Sequence, residues 1–125
     1  MKPLLSSLAC AFAAILLATQ AMACGVCVED RMAATYDDAV VRQAASRRHW
    51  VVFCEVKGVV SAEQLRAAAQ AVPGVDPRSI RTSLQPAALS FSLDPARQTP
   101  EGAVDLIATQ AGRHVQVELL KTMAP

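Results

Sequence analysis

The run Trp50-Val51-Val52-Phe53-Cys54-Glu55-Val56 sets the tightest limit on what this chain can become. β-Branched and aromatic residues fill it and Gly58 stops it, the composition of a strand. Alternate side chains of a strand point to opposite faces, so Trp50, Val52, Cys54 and Val56 share one side while Val51 and Phe53 share the other. Both sides are apolar. Such a strand needs cover on both faces, and the segment just before it is the natural candidate for the second cover.

That segment reads as one helix over 28–48. Val28, Met32, Tyr36, Ala39, Val40 and Ala44 recur at spacings of three and four, with Glu29 and Asp30 in the first turn and Arg47 and Arg48 in the last, as the helix dipole favours. Asp37, Asp38 and Arg42 are expected on its solvated face, and Met32 in the core. Beyond the strand, Ser61-Ala62-Glu63-Gln64 has the form of a capping box and opens a helix to about Val72, ended by Pro73-Gly74. Alternation over 79–84 and again at Leu89, Phe91 and Leu93, broken by Pro86, predicts a hairpin. Thr99 as cap and Pro100 in the first helical position start a further helix that Gly112 closes. His114 to Leu120 alternates as a last half-buried strand, with Val115, Val117 and Leu119 inward and the tail after Lys121 expected to fray. After the N-terminal helix the order is thus β-α-β-β-α-β. Right-handed crossovers turn that order into an α+β, ferredoxin-like βαββαβ sandwich carrying an extra N-terminal helix.

From Trp50 to Leu120 the chain resembles the heavy-metal-associated domain family, the small ferredoxin-like modules of copper chaperones, metal-pumping ATPases and periplasmic mercury-binding proteins. The resemblance is carried by the strand ending Val56-Lys57-Gly58, the helix end Ala71-Val72-Pro73-Gly74-Val75, the strand Ala88-Leu89-Ser90-Phe91-Ser92-Leu93-Asp94-Pro95, and the helix that starts at Thr99-Pro100-Glu101 and closes at Ala111-Gly112. It implies soft-metal binding. The family's Cys-x-x-Cys loop after the first strand is replaced here by Gly58-Val59-Val60-Ser61-Ala62-Glu63-Gln64, which has no cysteine, so the family's ligands do not carry over to it.

The thiol pair stands elsewhere, as Cys24-Gly25-Val26-Cys27 at the start of the N-terminal helix. Residues 1–23 have the form of a secretory signal: Lys2, an apolar run from Leu4 to Leu17, and an A-x-A site at Ala21-Met22-Ala23. Export, to the periplasm or beyond, and cleavage after Ala23 are expected, leaving 24–48 as the thiol segment and helix and 49–125 as the ferredoxin-like domain. Cys24 following a small residue also allows lipidation, and with it membrane attachment. Ala21 and Met22 fit that signal poorly, and it is the lesser reading. Cleavage removes Cys10, and it takes Lys2 from the 12 basic residues, which brings them level with the 11 acidic ones. A balanced charge argues against nucleic acid as a partner.

Two thiols at i and i+3 on a helix opening lie about 5–6 Å apart at Cβ, within reach of one ion. The positive end of the helix favours thiolates, which suit Cu(I) and similar soft ions. A four-ligand zinc site has only Cys54, His49 and His114 to complete it, and the two histidines are expected to face solvent. Cys54, on the face of Trp50 and Val52, is first a buried apolar residue and second a candidate third ligand. Thioredoxin-type chemistry is disfavoured because the motif follows no strand. Haem attachment is excluded by Val28 where a histidine is needed, and no set of nucleophile, base and orienting acid marks an enzyme. The sequence reading is therefore an exported soft-metal-ion binding protein with Cys24 and Cys27 as ligands and a metal-transport or redox protein as partner. Its alternatives are an interaction module or a thiol-disulfide carrier with Cys24 and Cys27 joined.

Overall fold

A computed structural model of the chain describes residues 27–125. The expected signal sequence and Cys24 lie outside the described residues. Helices α1 (Val28–Thr35) and α2 (Asp38–Ser46) precede strand β1 (Trp50–Lys57) and helix α3 (Ala62–Gln70). A single 3₁₀ turn, Pro77–Ser79, leads into strands β2 (Arg81–Leu84) and β3 (Ala87–Leu93), then helix α4 (Pro100–Ala111) and strand β4 (Gln116–Met123). The strands form one antiparallel sheet in the order β2-β3-β1-β4. The described residues are α+β, with four α-helices and a four-stranded sheet, an arrangement compatible with a ferredoxin-like fold.

β1 lies inside the sheet, and both of its faces are buried. On one side Val52, Cys54 and Val56 join Leu65 and Ala69 of α3, Phe91 of β3 and Ile107 of α4 in the main core. On the other, Val51 and Phe53 pack with Ala44 of α2 beneath half-buried Met32, Val41, Leu120 and Met123. The N-terminal segment does cover the second face, as the two-sided strand requires.

It does so as two helices rather than one. Tyr36 and Asp37 have extended backbone, which ends α1 and starts α2. Two distant partners hold the break. The hydroxyl of Ser90 on β3 donates to the Thr35 carbonyl at 3.0 Å, and Arg81 of β2 donates through Nε to the Asp37 carboxylate at 3.0 Å. The other Asp37 oxygen accepts the Ala39 N–H at 2.9 Å and so caps α2. Asp37 is therefore a structural carboxylate, where the sequence placed it on a solvated face. The Asp38–Arg42 pair is solvated as expected. The break also divides the expected apolar stripe: Met32, Val40 and Ala44 face inward, while Val28, Tyr36 and Ala39 are exposed.

The two helix starts read from short-range signals are present. Ser61 and Gln64 exchange both capping-box hydrogen bonds, and Thr99 accepts the Gly102 N–H at 3.0 Å. The last strand runs further than its alternation suggests. β4 pairs through Thr122 and Met123 with Val52 and Val51, and a bulge at Leu120 shifts the register between Phe53 and Cys54. The extra residue turns the later side chains to the other face, so Leu119 packs on the main core while Leu120 and Met123 pack on the smaller cluster.

Candidate functional site

Cys27 is the N-cap residue of α1, and its thiol is exposed. Its carbonyl accepts the N–H groups of Asp30 and Arg31 at 3.1 and 3.2 Å, while its side chain makes no capping hydrogen bond. The first N–H groups of a helix have no intrahelical acceptor, so this thiol stands where the backbone is short of electron-rich partners.

Three contacts fix the course of α1 over the sheet. Arg31 meets Glu55 of β1 at 3.2 Å, the Thr35 carbonyl meets Ser90 of β3, and Asp37 at the helix junction meets Arg81 of β2. α1 thus slants from β1 towards β2, with its N-terminus at the Lys57 end of β1. Cys27 lies one turn before Arg31, about 6 Å back along the helix axis. Glu55 is nearly buried and also binds the Lys57 ammonium at 3.2 Å, which in turn reaches Glu118 of β4 at 3.6 Å. The hydrogen bond that Lys57 donates to Glu55, then the charges of Glu118 and Glu55, raise the Lys57 pKa above its ordinary value. This chain of alternating charges ties the thiol-bearing end of α1 to the sheet.

Cys54 takes no part in it. Strand alternation sends its side chain to the face of Val52 and Val56, under α3 and α4, whereas α1 lies against the opposite face with Val51, Phe53 and Glu55. Burial pushes its thiol up to about 12, so the ligating thiolate is strongly disfavoured. The expectation of Cys54 as a third ligand is corrected accordingly: the sheet itself separates it from Cys27. His49 is also corrected. It is half-buried rather than solvent-facing, and its Nδ1 is buried without a hydrogen-bond partner. It sits six residues before Glu55, about 20 Å along the strand from the residue that anchors α1. His114 is exposed, as expected, at the end of the sheet where β1 passes into Gly58.

Among the described residues no group of three or more His, Cys, Asp or Glu side chains is arranged to hold a metal ion. The described half of the thiol pair is therefore Cys27 alone, on a helix whose placement is set by Arg31, Glu55 and Met32. The sequence reading missed the Glu55 network. Its signal was a carboxylate on the same strand face as Val51 and Phe53, where an apolar residue would be expected. No family model, curated protein or solved structure matches this chain.

Proposed function

We propose that this chain is an exported, ferredoxin-like protein of heavy-metal-associated type that binds Cu(I) or a similar soft ion through the thiolates of Cys24 and Cys27. The observation that carries the reading is the position of Cys27: exposed, uncapped, and at the start of a helix anchored to a rigid sheet. Two cysteines three residues apart in sequence offer two sulfur donors, which match the preference of Cu(I) for soft ligands and few of them. The ordering cost of a ligand near a chain terminus, about 1–2 kcal/mol per residue, is reduced because α1 is already held by Met32 in the smaller core cluster and by Arg31 at Glu55. The ion is cargo in this reading, passed to or from a metal-transport or redox partner.

Anaerobic titration of the reduced protein with Cu(I) against a competing chelator tests it. One ion per chain is expected, with affinity lost in both Cys24→Ser and Cys27→Ser. Equal affinity in wild type and both variants removes the metal reading. A disulfide found between the two thiols in the exported protein, by mass spectrometry, supports a thiol-disulfide carrier instead.

A further inference from the structure

We propose that the cleft between the Lys57–Gly58 end of β1 and the turn from α4 into β4 binds a small anion through its carboxylate or phosphate oxygens. The cleft measures about 380 Å³ and is lined by Lys57, Gly58, Arg113, His114 and Gln116. That volume falls within the range of about 300–1,000 Å³ typical of small-molecule sites. The lining residues include a lysine, an arginine, a histidine and a glutamine, and no Asp or Glu is among them.

The charge is only partly used within the protein. Lys57 is engaged by Glu55 and Glu118. Arg113 and His114 are exposed, and neither side chain has a hydrogen-bond or ion-pair partner among the described residues. The Lys57 charge is largely offset by the Glu55 and Glu118 carboxylates, so Arg113 supplies the uncommitted charge, and the planar fork of its guanidinium matches two oxygens of one carboxylate or phosphate.

The backbone builds the cleft. Gly58 has φ +109°, and a Cβ there would collide with the His114 carbonyl oxygen, so only glycine lets the end of β1 lie against the α4–β4 turn. Gly112, at φ +119°, ends α4, and its carbonyl accepts the Val115 N–H at 3.2 Å, which closes the turn that carries exposed Arg113 and His114. Cys27 is not in the lining, so this site stands independently of the thiol reading.

The test is a backbone amide NMR titration of the Cys24→Ser, Cys27→Ser protein at low ionic strength, with citrate and inorganic phosphate added in separate arms. Saturable shifts at Gly58, Arg113, His114 and Gln116 are expected in at least one arm. Arg113→Gln should weaken binding about tenfold or more, as loss of a charge-assisted hydrogen bond predicts. Added salt should weaken it further. Saturation by citrate alone identifies a polycarboxylate ligand, and saturation by phosphate alone a phosphate-bearing one. Shifts that never saturate, that fall elsewhere, or that are unchanged in Arg113→Gln overturn the proposal.

Discussion

Phe53→Ala is the sharpest probe of the claim that α1 and α2 are part of the folded core. Phe53 is 1% exposed, on the face of β1 turned away from α3 and α4. Its cover consists of Ala44 and of half-buried Met32, Val41, Leu120 and Met123. Truncating a buried phenylalanine costs about 3–5 kcal/mol, from lost transfer free energy and the cavity left behind. The lower end applies here, because several of its neighbours are only half-buried and free to relax. Against a typical total of about 5–15 kcal/mol, a loss near 3 is a large fraction and is easily read by urea denaturation as a lower midpoint. Met32→Ala, on α1, should couple to it, since residues in contact depart from additivity by about 0.5–3 kcal/mol. If the N-terminal helices were not docked, Phe53 would face water and its truncation would fall within about 0.5 kcal/mol of neutral, as exposed substitutions do. A result of that size, with no coupling to Met32, would refute the packing.

The end of α2 offers a change of opposite sign. Arg48 has φ +58° between two backbone hydrogen bonds that close the helix, from its own N–H to Ala45 and from the His49 N–H to Ala44 at 2.8 Å, the position where glycine is usual. Arg48→Gly should relieve left-handed strain of about 1–2 kcal/mol, less the entropy glycine loses on folding, for a net gain of about 0.5–1 kcal/mol seen as a higher Tm. Asp37 gives a pH dependence. The hydrogen bond from Arg81 holds its pKa below the ordinary 3.8, so its contribution is fully present above that value and is lost as pH falls through the lower folded-state pKa. Acid unfolding followed by circular dichroism should therefore be less steep over that range in Asp37→Asn. Cys54 should resist alkylation in the native protein and react only as denaturant opens the core, whereas Cys27 should react at once; prompt labelling of Cys54 would contradict its place under α3 and α4.

What the sequence makes legible here is set by the range of the interactions involved. The starts of α3 and α4 depend on bonds spanning three residues, Ser61 with Gln64 and Thr99 with Gly102, so the motif and the structure coincide. The second cover over Val51 and Phe53 was readable for a different reason: period-two alternation leaves two apolar faces that both need burial. The break at Tyr36–Asp37 was not readable, because its partners Ser90 and Arg81 lie 55 residues from Thr35 and 44 from Asp37. The apolar spacing of 28–48 alone continues straight through it. The bulge at Leu120 likewise hides from alternation, which assumes an unbroken register. Of the thiols, Cys54 follows from strand parity once the position of α1 is known. The environment of Cys27 depends on Arg31, Glu55 and Lys57, whose meeting no spacing announces.

X-ray absorption at the copper edge of the Cu(I)-loaded protein addresses the central claim at its source, the atoms around the ion. Two sulfur donors and no nitrogen shell are predicted, with the sulfur signal collapsing in Cys27→Ser. A first shell built from imidazole nitrogen, or one that survives intact in that variant, would contradict it.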